Sequence, residues 1–152
     1  MFGIKRKYDK ETWMDYLIGH VLWNLGGRWL TFWWQRRIRG FDDSELWSLD
    51  YTMCKFMAPR LRALQEMVNG CPHDLLYGNG SDENFQAFHA LPVEEQQRQA
   101  SEAMSLWKEM LGKMAHAMEL WVENDTFLED EQKREWEEGM ELFHKYLFGL
   151  WD

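Results

Sequence analysis

Patterns typical of β-strands are scarce in this sequence. No stretch alternates apolar and polar residues for long, and Val, Ile and Thr are few. Apolar residues instead recur three and four positions apart along almost the whole chain, which is the spacing of amphipathic helices. The pattern predicts an all-α protein: one helical bundle of about five helices that spans residues 1–152 as a single domain.

Cysteine is also scarce, and its placement excludes two common uses. Cys54 and Cys71 lack the spacing of a zinc site and are too few for a disulfide framework. A reducing, cytoplasmic location is the simpler interpretation. The sequence further lacks a Gly-rich phosphate loop and a Gly-x-Ser-x-Gly nucleophile motif, and the run Cys71-Pro72-His73 is interpreted as a turn. We therefore expect a non-enzymatic protein without a cofactor.

Tryptophan and methionine, by contrast, are abundant, with ten of each. Trp buries a large area with a rigid side chain, and Met fills irregular gaps or forms adaptable contact surfaces. Together they predict either a core packed from large side chains or an exposed contact surface.

Charge is divided unevenly along the chain. Residues 1–76 carry eleven Lys and Arg against nine Asp and Glu, a net charge of +2, whereas residues 77–152 carry six against seventeen, a net charge of −11. An acidic chain is a poor general nucleic-acid binder, although a local basic patch can hold one anionic ligand. The acidic stretch over residues 123–141 is interpreted as a solvated helix face, or as a nucleic-acid mimic or docking face for a basic partner.

The basic front half is expected to form Trp- and Arg-rich helices over residues 10–68. Glycines end the first two predicted helices, which we place at residues 10–25 and 28–39. The sequence Asp-Asp-Ser-Glu at 42–45 fits a capping box and starts the next helix. A kink or a restart is expected at Pro59, because proline lacks the N–H that a helix interior needs.

One long loop is predicted in the middle of the chain. Residues 70–92 contain Cys-Pro, Gly-Asn-Gly and Pro92, all of them turn formers. A loop of this length is often functional or mobile. The apolar spacing over residues 85–91 allows one short helical turn within it.

Two long helices are predicted after this loop. Apolar residues from Ala100 to Trp121 alternate four and three positions apart, which predicts a helix over about residues 92–123. A capping-box match at residues 126–129 starts the last helix. The short connection between the two helices predicts an antiparallel pair over residues 92–150.

An apolar stretch over residues 16–34 follows three basic residues near the start of the chain. His20, Asn24 and Arg28 interrupt this stretch, and an unpaired Arg near a bilayer centre costs at least ~2.5 kcal/mol. We therefore expect amphipathic segments here and do not expect membrane contact.

Metal chemistry has one candidate set. Glu141 and His144 have a Glu-x-x-His spacing that places both on one helix face, and His116 with Glu119 could supply partners. A di-iron bundle needs two such motifs plus further carboxylates on facing helices. Because only one copy is present, no metal site is predicted, and a bundle metalloenzyme is the weakest alternative.

The most distinctive segment is residues 28–39, with four Arg and three Trp in twelve positions. Arg side chains grip phosphates, and Trp and Arg planes stack on bases. We predict a site for an anion, a nucleotide or a protein partner here, with the candidate residues Trp29, Trp33, Arg36, Arg37, Arg39 and, from the next helix, Arg60. The alternative is that the Trp side chains are core residues, while the Arg side chains are solvated or pair with Asp42, Asp43 and Asp50.

Residues 39–64 carry a resemblance to a protein family. An Arg-Gly-aromatic turn and a Trp-x-Leu-Asp helix start lie within residues 39–51, and Pro59-Arg60-Leu61 follows. The combination resembles small bacteriophage-encoded helical proteins that share these motifs, over roughly a sixth of the chain. The resemblance implies a phage accessory protein in the cytoplasm of an infected bacterial cell. Such proteins include counter-defence proteins, which bind host immune proteins or sequester nucleotide signals.

The leading hypothesis is therefore a non-enzymatic, phage-encoded binding protein. Its partner would be a host protein or a small anionic nucleotide, met by the Trp- and Arg-rich segment. The alternative is a structural, self-associating bundle, a virion or accessory protein whose Met and Trp surfaces form a homo-oligomer.

Overall fold

The computed structural model describes residues 17, 18, 21, 24, 26–78, 81–124 and 127–150. Within these ranges the chain forms seven α-helices and one 3₁₀ turn and has no strand. The helices are α1 (Arg28–Arg39), α2 (Asp43–Trp47), α3 (Leu49–Met67), α4 (His73–Tyr77), α5 (Asp82–His89), α6 (Val93–Glu123) and α7 (Asp130–Tyr146), and the 3₁₀ turn is Leu147–Gly149. The predicted all-α class is confirmed, with more helices than the expected five.

The chain divides into two compact units, Met1–Thr52 and Met53–Asp152. The first unit holds α1, whose bounds agree with the helix predicted over residues 28–39. Gly40 ends this helix with a left-handed backbone (φ 86°), which suits glycine, and its N–H donates to the Arg36 carbonyl at 3.0 Å. The helix expected over residues 10–25 lies mostly outside the described residues, and the four described positions within it are helical.

After α1 and the turn at Gly40, the helical chain is interrupted at Ser48. The sequence predicts an interruption at Pro59. α2 ends at Trp47, Ser48 leaves the helical conformation (φ −136°, ψ 67°), and α3 then runs through Pro59. Proline removes one hydrogen bond of a helix. Pro59 lies on the exposed side of α3, where water can replace that bond. The expected restart at Pro59 is therefore wrong.

The core of the second unit lies where α6 and α7 pack as the predicted antiparallel pair. Four residues of the predicted α6 seam are at most 1% exposed: Trp107, Leu111, Met114 and Met118. Phe143 of α7 and Leu61 of α3 join the same apolar cluster. Burial of this apolar area is the main favourable contribution to folding.

Polar contacts also join the helices of the second unit. The Arg62 guanidinium of α3 makes a two-pronged contact with the Glu119 carboxylate of α6, with N–O distances of 2.9 and 2.6 Å. Gln65 donates from its side-chain amide to the Lys108 carbonyl at 2.9 Å. These contacts fix α3 against α6 beside the apolar cluster.

The expected loop over residues 70–92 is wrong, because α4 and α5 occupy much of it. Tyr77 of α4 lies edge-on to Phe85 and Phe88 of α5, with ring centroids 5.2 Å apart in both pairs. The short turn that the sequence allows over residues 85–91 belongs to this eight-residue helix. Packing of the rings holds two short helices that have little stability alone.

α7 begins later than its predicted capping box. Its N-cap is Glu129, whose N–H donates to the Gln132 side chain at 3.1 Å while its carboxylate accepts from the backbone of that residue. The position predicted for the cap, residue 126, lies outside the described residues. α7 ends at the buried Tyr146, before residue 150, to which the predicted antiparallel pair extends.

Candidate functional site

Asp42 holds the corner between α1 and α2. Its carboxylate is buried, and its Oδ1 accepts from the Ser44 N–H at 2.8 Å and from the Ser44 hydroxyl. Its Oδ2 lies 2.8 Å from Nη2 of Arg36 in an ion pair without the alignment of a hydrogen bond. Arg36 also donates from Nε to the Glu45 carboxylate at 2.8 Å. Two carboxylates therefore hold Arg36.

Asp43 makes a second set of contacts at the same corner. Its carboxylate accepts from the Gln35 amide at 2.9 Å and from Nη1 of Arg39 at 2.8 Å, and its N–H donates back to Gln35 at 3.0 Å. The Arg39 side chain is only 12% exposed, and its guanidinium lies 6.0 Å from the centroid of the Phe41 ring. The Arg-Gly-aromatic motif and the acidic residues after it thus form a structural corner.

The two candidate Trp residues point outward from α1. Trp29 is 68% exposed and Trp33 is 55% exposed, so neither is a core residue. Arg37 follows Trp33 by four positions on the same side of the helix and is exposed as well. Trp29, Trp33 and Arg37, together with the exposed Arg28 at the start of the helix, are called the α1 face below.

The two Arg residues of the α1 face differ from those at the corner. Arg28 lies over the Phe32 ring, 5.5 Å from its centroid. Within the described part of the chain, neither Arg28 nor Arg37 has a carboxylate partner. Their charges are therefore available for a ligand, whereas those of Arg36 and Arg39 are already compensated.

Arg60, the sixth candidate residue, belongs to the second unit. Its Nη1 donates to the Phe56 carbonyl at 2.6 Å, and its guanidinium lies 3.5 Å from the centroid of the Phe56 ring. Stacking of this kind is a cation–π contact on an exposed helix surface. Local contacts within α3 thus account for the position of Arg60.

Two of the four candidate metal ligands have other partners, and the other two are exposed. Arg62 binds Glu119 and holds the pKa of that carboxyl below its usual range. Nε2 of His116 lies 3.2 Å from the Glu135 carboxylate, while Glu141 and His144 are exposed on α7. Among the described residues, no three His, Cys, Asp or Glu side chains converge. The candidate residues therefore form no metal-binding cluster among the described residues.

The acidic stretch over residues 123–141 is partly paired. Glu135 contacts His116, and Glu138 contacts Nζ of Lys113 at 2.8 Å, so two of its carboxylates link α7 to α6. The other described carboxylates of α7 are exposed, as a solvated helix face predicts.

Sequence reasoning missed two exposed apolar side chains in the first unit. Trp47 is 86% exposed and Leu49 is 61% exposed, on either side of the break at Ser48. A five-residue helix is too short for its apolar spacing to show which side is buried.

No protein-family model, no curated protein and no solved structure matches this chain. Among the described residues, no helix is both long enough and apolar enough to cross a membrane.

Proposed function

We propose that this chain is a non-enzymatic binding protein that engages a partner protein through the α1 face. The observation that carries the proposal is the exposure of Trp29 and Trp33 beside Arg37, which has no carboxylate partner in the described part of the chain. Trp and Arg are the residues most enriched among those that dominate binding energy at protein interfaces. Two exposed indoles on one helix face present a large apolar area that a partner can bury.

A protein partner accounts for the geometry better than a small anionic nucleotide. Arg36 and Arg39, which would grip a phosphate, already bind Asp42, Asp43 and Glu45. A nucleotide would have to displace these carboxylates, and small ligands generally bind in concave sites rather than on an exposed helix face. The α1 face, a convex surface with charge at its edges, suits the groove or flat surface of a protein.

The corner contacts support the same proposal in another way. Asp42 and Asp43 fix the last turn of α1, which carries Arg37. A fixed helix loses less side-chain and backbone entropy on binding than a mobile one. The motif that resembles phage proteins thus orients the α1 face, and the setting we propose is the infected bacterial cytoplasm, with a host immune protein as partner.

Photo-crosslinking tests this proposal directly. A photoreactive residue placed at Arg37 should capture a specific bacterial protein, and Trp29→Ala with Trp33→Ala should abolish the capture. The matched control places the same residue at Glu137, an exposed position on α7. Equal capture from both positions would contradict the proposal.

A second copy of the chain is the alternative occupant of the α1 face. Light scattering at high concentration should report a monomer. A dimer that dissociates when both Trp residues are replaced by alanine would instead support the self-associating protein and overturn the proposal of a foreign partner.

A further inference from the structure

A cavity of about 390 Å³ opens in the second unit, where the segment after α3 meets α6 and the 3₁₀ turn. Its walls include Cys71, Pro72, His73, Asp74, Trp107 and Gly149. The volume lies within the range of about 300–1,000 Å³ that is typical of small-molecule sites.

The inner wall of this cavity is apolar and rigid. Trp107 is almost completely buried, and Tyr146 packs edge-on against it with ring centroids 5.3 Å apart. The Cys71 thiol is half-buried, and burial first and the Asp74 charge second raise the pKa of that thiol. The thiol is therefore neutral at pH 7 and adds a soft, polarisable surface to the indole and the Pro72 ring.

Glycine keeps one side of the cavity open. A Cβ built on Gly149 would lie 3.7 Å from Cγ of Pro72, in ordinary contact with the opposite wall. A branched side chain at this position would therefore extend towards Pro72 and narrow the cavity.

An exposed carboxylate lies at the mouth of the cavity. Asp74 is exposed there, and Nζ of Lys145 lies 4.0 Å from its Oδ2, the outer limit of an ion pair. Residues 53–152 carry nine Lys and Arg against nineteen Asp and Glu, a net charge of −10. The field of this unit therefore concentrates small cations and repels small anions.

We propose that this cavity binds a small organic amine with an apolar body. The hydrocarbon part lies against Pro72 and Cys71, in front of the buried Trp107, and the ammonium group at the mouth faces Asp74. Such an amine satisfies both the apolar wall and the exposed Asp74 carboxylate, from which Lys145 lies 4.0 Å away. An anion of the same shape meets repulsion from the net negative charge of the unit. The site is in a different unit from the α1 face, and the two proposals stand or fall independently.

Three probes of nearly equal shape separate charge from apolar contact: phenethylamine, phenethyl alcohol and hydrocinnamate. Binding is followed by protection of Cys71 from N-ethylmaleimide at mildly alkaline pH, read by mass spectrometry, with the buried Cys54 as an internal control. The amine should bind about fivefold more tightly than the alcohol, as expected for one exposed charge contact, and the carboxylate most weakly. Equal protection by hydrocinnamate and the amine, or no protection by any probe, would overturn the proposal.

Two variants locate the bound amine. Asp74→Asn should bring phenethylamine down to the affinity of the alcohol, while Asp82→Asn, at a matched exposed position in the first turn of α5, should leave the difference intact. Gly149→Val should weaken binding of both probes by narrowing the cavity towards Pro72. An amine preference that survives Asp74→Asn would refute the proposed role of the carboxylate, and this holds even if Gly149→Val fails to fold.

Discussion

Replacing Gly139 by alanine should destabilise the pair of α6 and α7. Gly139 is buried between the two helices, and a Cβ there would lie 2.6 Å from the Lys113 carbonyl oxygen and would also collide with Cβ of Ala117. Ordinary contacts between non-bonded heavy atoms are about 3.5–4.0 Å. The Lys113 carbonyl oxygen belongs to the backbone, and the Ala117 Cβ is attached directly to it, so neither atom can rotate away. The two helices must therefore move apart.

The size of this effect follows from two opposing contributions. Alanine in a helix interior is favoured over glycine by about 1 kcal/mol. Overpacking costs about 1–3 kcal/mol, and contact with a carbonyl oxygen places Gly139→Ala at the upper end. The net loss is about 2 kcal/mol, which corresponds to a fall in Tm of about 4–8 °C for a chain of this size.

Thermal melting followed by far-UV circular dichroism measures this change, with Gly112→Ala as the matched control. A Cβ on Gly112 would meet the side-chain amide of Gln65, which is flexible and can move at the expense of its bond to Lys108. That loss of about 1 kcal/mol offsets the gain in helix propensity, so Tm should stay near that of the wild type. A Gly139→Ala protein that melts at or above the wild-type temperature would refute the close-approach account.

Three further measurements test contacts that lie within one or the other unit. Arg62→Ala should lower the free energy of unfolding by about 1 kcal/mol at neutral pH, because its pair with Glu119 is partly exposed. The pKa of Glu119 is lowered in the folded state, so this contribution to stability is present at neutral pH and is lost as pH falls through that pKa. The free energies of unfolding of wild type and variant, measured by urea titration, should therefore become equal in acid. Cys71 should react with maleimide more slowly than a cysteine in an unfolded peptide at the same pH, because its pKa is raised; equal rates would contradict the burial argument. Asp42→Ala should cost about 2 kcal/mol, measured by melting, since it removes a helix cap and leaves Arg36 without its buried partner.

The elements that the sequence predicts best have strong local signals. Gly40 stops α1 at the expected residue because its left-handed backbone suits glycine. α6 follows from its seam of large apolar residues, since three heptads leave little doubt about which side is buried. In both cases the local signal and the packing agree.

The elements that the sequence fails to predict have weak or competing signals. α4 and α5 contain five and eight residues, too few for a periodic pattern, and depend on the packing of Tyr77 against Phe85 and Phe88. The start of α7 has two overlapping capping boxes in the sequence, at residues 126–129 and 129–132, and α7 uses the second. Choosing between them requires the position of α6.

The candidate site could be predicted only in part. α1 has large apolar side chains on several sides, so its sequence cannot decide whether Trp29 and Trp33 are buried. The nearby acidic residues indicate that Arg36 and Arg39 can form ion pairs. Which carboxylate each Arg contacts depends on the turn at Gly40. Arg37 stands out only once these partners are assigned.

The affinity of the crosslinked partner for variants of the α1 face tests the central claim most directly. Trp29→Ala and Trp33→Ala should together weaken Kd by about 30-fold or more, as expected when residues worth at least ~2 kcal/mol are removed from an interface. The matched control is Trp47→Ala, an exposed Trp of the same unit outside this face, which should leave Kd within about twofold. Loss of affinity in the control equal to that in the double variant, or an unchanged Kd in the double variant, would contradict the account.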